Sequence, residues 1–217
     1  MILVNFKLFP QSFGDKAVSL AKICFRVSQD TGVKIYPVVS ALDAHRLIST
    51  VGIRVYLGHV DEYLSGPKTG YVSALQAQIL GIRGSLLNHS EHRLPPGTIR
   101  KILKNQPAGF ESIVCLGRLG QLTTWAKKLP ADYIAYEPRE LIGSRHSSVF
   151  SQNLSVIKKF LDYYPPSRLI AGAGIHTVDD ARIAVDLQLA GILVATDVLC
   201  SVNPEKELRQ LATAFSV

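Results

Sequence analysis

Ile2-Leu3-Val4-Asn5-Phe6, followed by Lys7-Leu8-Phe9-Pro10, separates the two architectures open to a chain of this kind. The first five residues read as a β-strand that begins almost at residue 1, and the next four contain no glycine. An open, doubly wound sheet carries a Gly-rich turn at this point, because its backbone must come close to a dinucleotide pyrophosphate there. The stretch lacks that turn, so a parallel sheet starting here calls for another form of closure.

Beyond this stretch, the chain alternates β-type runs with longer amphipathic stretches eight times. The strand candidates are Ile2–Phe6, Lys34–Val39, Arg54–His59, Gly84–Asn88, Ser112–Leu116, Tyr133–Glu137, Arg168–Ala171 and Gly191–Ala195. Most are rich in Val, Ile and Leu without strict polar alternation, as expected of parallel strands covered on both faces. Helical patterns fill the gaps: Gly14–Gln29, Ala41–Thr50, Val72–Leu80, Pro95–Lys104, Gly120–Lys128, Phe150–Tyr163, Thr177–Gln188 and Pro204–Phe215. Thr177 with Asp180 reads as a helix cap with a short acidic partner, and Pro204-Glu205 as a first turn. Eight strand–helix units in a chain of 217 residues predict an α/β fold, a single closed (β/α)8 barrel spanning residues 1–217.

Composition narrows the function. A hydrophobic content of 47% and a charged content of 19% describe a folded chain with a core. No apolar run approaches the ~20 residues of a membrane span, and the start lacks a basic flank and a cleavage site. Cys24, Cys115 and Cys200 are odd in number and far apart, which supports neither a disulfide framework nor a zinc knuckle. Reduced thiols point to a cytoplasmic protein. The net charge of +7 comes from scattered lysines and arginines with no run of four, so the pattern favours an anionic small substrate over nucleic acid. Trp125 and Tyr163-Tyr164 fall on outer helices, where they read as packing or interface residues.

In such a barrel the site lies at the carboxyl ends of the strands. Those ends hold Asn5 and Lys7, His89 and Glu91, Glu137, Gly172-Ala173-Gly174, and Ala195-Thr196. Glu137 ends an apolar run and is stopped by Pro138, so its carboxylate is positioned rather than merely solvated. An ammonium, an imidazole, a carboxylate and small-residue turns at one mouth suit proton abstraction beside a carbonyl on a phosphorylated substrate.

The same residues carry a resemblance. Val4-Asn5-Phe6-Lys7, Gly84 through Glu91, Ala135-Tyr136-Glu137-Pro138 through Leu141-Ile142-Gly143, Gly172-Ala173-Gly174-Ile175, and Gly191 through Ala195 resemble the triosephosphate isomerase family in its short, archaeal-type form. They occur in the family's order over nearly the whole chain. The resemblance implies a cofactor-free, cytoplasmic TIM-barrel isomerase acting on a small phosphorylated triose, with no metal, nucleic-acid or membrane partner, assembled as a homodimer or homotetramer through the loop at about Asp61–Tyr71.

It also implies roles for individual residues, because this family is itself a standard example of acid–base tuning within a closing site. Glu137 is the base, made more basic by a dry site. His89 is the neutral electrophile, opening a short helical turn whose dipole disfavours imidazolium. Lys7 supplies fixed positive charge, Asn5 a polar substrate contact, and Glu91 supports Lys7 and the histidine turn from behind. Backbone at Ile142, Gly143, Gly174, Ala195 and Thr196 holds the phosphate, and Pro138 to about His146 forms a lid.

Other readings stay open at this level. His89, Glu91 and His92, or His59 and Asp61, could suggest a metal, but no further His or Cys cluster accompanies them. Cys115 reads as packing near the barrel top. A Schiff-base aldolase needs an inner lysine, which strands 5 to 7 lack; a non-catalytic or differently specific phosphate-binding barrel is the alternative. Three departures from the family pattern stand out: Ser144-Arg145-His146 at the lid hinge, Asp197 after Ala195-Thr196, and apolar Leu75 after the Thr69-Gly70 loop. Asp197 would repel a phosphate unless it points away, for instance to cap the next turn.

Overall fold

The computed structural model describes residues 1–126, 128–144 and 146–215. Eight parallel strands close into a barrel in chain order, β1 (Ile2–Asn5), β2 (Ile35–Val39), β3 (Tyr56–Leu57), β4 (Gly84–Leu87), β5 (Glu111–Leu116), β6 (Tyr133–Tyr136), β7 (Leu169–Gly172) and β8 (Gly191–Val194). The seam is β1 against β8, with Ile2 opposite Ile192 and Val4 opposite Val194. The expected barrel is therefore present.

Alternation along each strand divides the core in two. Leu3, Val38, Tyr56, Leu86, Ile113, Cys115, Ala135, Ile170 and Leu193 fill the lumen as one buried cluster. Their neighbours Ile2, Val4, Leu57, Leu87, Val114, Ile134, Tyr136, Ala171, Ile192 and Val194 point outward into the layer beneath the helices. At the amino end, the Tyr56 hydroxyl is bonded to Glu111, and Arg83 Nε donates to that hydroxyl at 3.0 Å, so this polar group in the lumen is satisfied.

The surrounding helices are α1 (Gly14–Thr31), α2 (Ala41–Val51), α3 (Ala74–Ile79), α4 (Pro96–Asn105), α5 (Leu119–Gln121), α6 (Val149–Leu161), α7 (Val178–Asp186), α8 (Thr196–Leu199) and α9 (Pro204–Thr213). Thr177 caps α7 reciprocally with Asp180, and Asn203 caps α9 with proline in its first turn.

Three elements differ from expectation. β3 shrinks to two residues because only Tyr56 and Leu57 are in register with both Val38–Val39 and Gly84–Ser85. The fifth helix is a short α turn continued by a π-helical stretch, Leu122–Ala126. Thr123 and Thr124 hydroxyls there bond the Gly120 carbonyl and compete with the α-helical ladder. The extra helix α8 sits between β8 and α9, where the sequence suggests a loop. Lys127 and Arg145 lie outside the described residues, so the reading of Arg145 at the lid hinge has no structural counterpart.

Candidate active site

Strand alternation explains how side chains reach the mouth. Leu3, Leu86, Ala135 and Leu193 face the lumen, so two residues further on Asn5, Asn88, Glu137 and Ala195 fall at its carboxyl end. The Glu137 amide donates to the Leu116 carbonyl at 2.8 Å, continuing the β5–β6 ladder one residue past the strand and fixing the direction of the side chain. Pro138 then ends it.

Two bends with positive φ supply the other groups. Lys7 has φ 48° and Asn88 has φ 62°. Both are held in that uncommon region by side-chain bonds. The Lys7 amide donates to Asn5 Oδ1 at 3.1 Å. Asn88 Nδ2 donates to the Cys115 carbonyl at 2.8 Å, and its Oδ1 accepts from the Leu94 amide at 3.0 Å. The bend at Asn88 swings His89 over the lumen, and the bend at Lys7 sends its ammonium toward Glu91, whose Oε1 lies 2.7 Å from Nζ.

These side chains meet. His89 Nε2 is 3.5 Å from Glu137 Oε1, and both residues are buried, at 6% and 4% exposure. The Glu91 amide lies 3.3 Å from His89 Nδ1, which makes Nδ1 the acceptor and puts the proton on Nε2, facing Glu137 and the pocket. Residues 89–92 form a single turn closed by the His92 amide on the His89 carbonyl at 2.9 Å.

Burial raises the pKa of Glu137, but the hydrogen bond and electrostatic pull of His89, the Cys115 thiol and the Lys7 charge together outweigh it, leaving the group below the ordinary carboxylate range. Glu137 Oε2 is nonetheless buried with no hydrogen-bond partner among the described residues. A buried carboxylate oxygen without a donor is costly unless something visits it.

One cavity of about 430 Å³, partly open to solvent, is lined by Asn5, Lys7, His89 and Glu137 together with Ile142, Gly143, Gly174, Ala195 and Thr196. Every residue assigned from the sequence thus borders this space except Glu91, which stands behind Lys7. The segment after Glu137, expected to act as a lid, folds as a 3-10 turn, Arg139–Leu141, followed by Ile142 and by Gly143 at φ 73°. The Ser144 hydroxyl accepts from the Ser147 amide at 3.0 Å beyond it.

The sequence places Gly172, Gly174 and Cys115 near the mouth but does not tell what each touches. A Cβ placed on Gly172 would lie 2.9 Å from Glu137 Cγ and 3.1 Å from Leu193 Cβ, so glycine there makes room for the carboxylate. A Cβ on Gly174, φ 64°, would meet the Ser147 carbonyl oxygen at 2.1 Å, so glycine lets the lid's far end rest on the β7 turn. Cys115 touches Glu137 from the layer below, and burial raises its thiol pKa well above the usual range, which suits packing rather than nucleophilic work. The one signal for it in the sequence is the two-residue phase shared by Ile113, Cys115, Ala135 and Glu137.

Asp197 stands in the first turn of α8 and borders the cavity; the cap position of α8 is Ala195. No group of three or more His, Cys, Asp or Glu able to hold a metal occurs among the described residues. His59 instead bonds Asp61 and stacks on His92. Nor is any helix among the described residues long and apolar enough to cross a membrane.

Comparison with known proteins gives a consistent result. The family model described as triosephosphate isomerase matches residues 1–212. The triosephosphate isomerase of Methanocaldococcus jannaschii is 31% identical over 218 residues, covering 97% of this chain and 98% of the relative. That of Saccharolobus solfataricus is 36% identical, covering 99% and 95%. The crystal structure of triosephosphate isomerase from Bartonella henselae superposes with a TM-score of 0.76 at 18% identity, covering 99% and 98% of the two chains, and shares the fold.

Proposed function

The chain belongs to the triosephosphate isomerase family, and from that premise we propose that the Lys7, His89 and Glu137 cavity is where it interconverts dihydroxyacetone phosphate and D-glyceraldehyde 3-phosphate. The activity, isomerisation of a triose phosphate, follows from the family; the assignment of steps to residues is our reading. The observation that carries it is the buried Glu137 carboxylate, with Oε1 3.5 Å from His89 Nε2 and Oε2 without a hydrogen-bond partner among the described residues.

Glu137 takes a proton from the carbon beside the substrate carbonyl. The C–H electron pair forms the new C=C bond, and the carbonyl pair moves to oxygen to give an enediolate. His89, neutral, donates from Nε2 to the enediolate oxygens, and Lys7 faces the negative charge that develops. His89 takes the hydroxyl proton from one enediolate oxygen as its Nε2 proton passes to the other, and Glu137 returns its proton to the adjacent carbon, so that ketose becomes aldose with no net gain or loss of atoms. Asn5 contacts the substrate. Backbone N–H groups around Gly143, Gly174 and Ala195-Thr196 hold the phosphate, while the segment from Pro138 closes as a lid and keeps water from the enediolate.

Glu137→Gln keeps the shape and removes the base, so turnover should fall about 10²–10⁴-fold with KM little changed. Near-normal turnover in that variant, correctly folded by circular dichroism, overturns the assignment. We further propose that residues 1–217 form one domain and that the protein works in the cytoplasm as a homodimer or homotetramer. Exposed Leu8, Leu42 and Tyr71, at 75%, 94% and 50%, support a subunit contact beside the Asp61–Tyr71 loop, which sedimentation analysis tests.

A further inference from the structure

We propose that His92, stacked on His59, is a positioning residue for the isomerisation: the ring pair clamps the turn that aims His89 at the cavity and Glu91 at Lys7. The inference rests on the reading of His89 as the donor to the enediolate.

The clamp begins at the neck of the loop after β3. The Asp61 amide donates to the Val72 carbonyl at 2.8 Å, and the Val72 amide donates to Asp61 Oδ2 at 2.7 Å, so the loop from Asp61 to Val72 closes on a rigid base. The other oxygen of that carboxylate, Oδ1, lies 3.2 Å from His59 Nε2. A carboxylate can only accept, so this contact puts a proton on Nε2 and fixes the plane of the ring. His59 then lies against His92 with ring centroids 4.2 Å apart and planes 37° apart. Tilted aromatic rings at such a separation attract each other by more than their buried area alone provides.

His92 is the last residue of the catalytic turn. Its amide holds the His89 carbonyl at 2.9 Å, the neighbouring Glu91 amide holds His89 Nδ1 at 3.3 Å, and the Glu91 carboxylate holds Lys7. A rigid loop base is thus connected to both the imidazole and the ammonium of the site through one ring-on-ring contact. The turn has a second support, since Arg93 Nη1 donates to the Asn88 carbonyl at 3.0 Å and the Leu94 amide binds Asn88 Oδ1. Loss of the stack should therefore loosen the aim of His89 without collapsing the turn.

The test is a double-mutant cycle with a conservative rescue, read by steady-state isomerase kinetics on variants checked for folding by circular dichroism. His92→Ala and His59→Ala should each lower kcat about tenfold with KM within about twofold, as expected for misplaced catalytic groups. His92→Phe retains a planar ring and should recover kcat to within about threefold of wild type. In a His89→Gln background the cost of His92→Ala should fall from about tenfold to about threefold or less, because only the branch through Glu91 and Lys7 is left to disturb. Unchanged kcat in His92→Ala sinks the clamp while leaving the role of His89 intact; so does a phenylalanine variant as slow as the alanine one. An undiminished cost of His92→Ala on top of His89→Gln sinks it as well. Wild-type turnover by His89→Gln alone overturns the reading of His89, and the clamp with it.

Discussion

Substituting Gly172 by alanine probes the site without touching any group that does chemistry. The added Cβ would lie 2.9 Å from Glu137 Cγ, 3.1 Å from its Oε1 and 3.1 Å from Leu193 Cβ. Ordinary carbon–carbon contacts begin near ~3.5 Å, so something must move by roughly 0.5 Å or more. Leu193 belongs to the close-packed lumen and has little room. The Glu137 backbone is tied to Leu116, which leaves the carboxylate as the group that yields. It would swing away from β7 and lose its alignment with the substrate carbon. Displacement on the scale of ~1 Å costs about 10²-fold in rate, and overpacking a core costs about 1–3 kcal/mol in stability. Gly172→Ala should therefore remain folded, melt several degrees lower, and lose about 10²-fold in kcat. Gly97→Ala is the control. Its Cβ meets nothing within 4 Å, in the first turn of α4, so kcat should hold and stability should not fall. A coupled isomerase assay with a thermal melt reads both variants. If Gly172→Ala keeps wild-type turnover, the carboxylate is not held where this geometry puts it.

Other perturbations discriminate between parts of the site. Glu91→Gln removes the charge paired with Lys7, but Glu91 is half exposed, so the expected loss in kcat is about tenfold or less, against about 10²–10³-fold for Lys7→Ala. Comparable losses for the two would mean that Lys7 depends wholly on Glu91. Glu137 has its pKa depressed in the fold, so its ionised form contributes stability above the unfolded value, and that contribution is lost as pH falls through the folded pKa. Acid melts of wild type should thus begin to lose stability relative to Glu137→Gln as pH falls through the ordinary carboxylate value and continue to lose it below, and divergence beginning near pH ~6 would contradict the pairing. Gly174→Ala forces a Cβ to 2.1 Å from the Ser147 carbonyl oxygen at a positive φ, so the lid's far end must shift. Phosphate-ester affinity by calorimetry should weaken more than in Gly172→Ala, and equal affinities would disconnect the β7 turn from the lid.

The barrel and the assembly of the site are legible in the sequence because both depend on period. Eight apolar runs separated by amphipathic stretches leave few closures, and the two-residue phase of a strand says which end residues face the lumen. That phase predicts Glu137 from Ala135 and Asn5 from Leu3. It does not predict His89, which is one residue out of phase with Leu86 and Asn88 and reaches the mouth only because Asn88 adopts positive φ. A left-handed residue leaves no periodic trace; it shows as asparagine, a type that tolerates the region, and nothing more. The π-helical stretch at Leu122–Ala126 is illegible for a similar reason, since threonine hydroxyls choose between ladder patterns at small energy differences. The downward pull on the Glu137 pKa is illegible too: burial is visible in an apolar run, whereas the imidazole, thiol and ammonium that outweigh it come from three other strands.

Of the non-glycine residues at positive φ among the described residues, Lys7, Asn88 and Ala173 lie at the carboxyl end of the barrel and Gln188 at the amino end. Lys7 and Asn88 are non-glycine residues at positive φ, a conformation costing on the order of 1–3 kcal/mol each when the region is unsuited to the side chain. Each is secured by bonds that serve no purpose in the barrel wall: Asn5 Oδ1 on the Lys7 amide, and the Asn88 amide group on Cys115 and Leu94. At the amino end, by contrast, the lumen's polar groups are paired and Tyr56, Arg83 and Glu111 satisfy one another. A barrel needing only stability would have no reason to treat its two ends differently. The more strained end is the one where a buried carboxylate oxygen is left unbonded, and the strain delivers an imidazole N–H and an ammonium to the same cavity. The open hydrogen-bonding capacity of Glu137 Oε2 is what a reacting C–H would meet, with the surrounding dipoles already aimed before the substrate arrives.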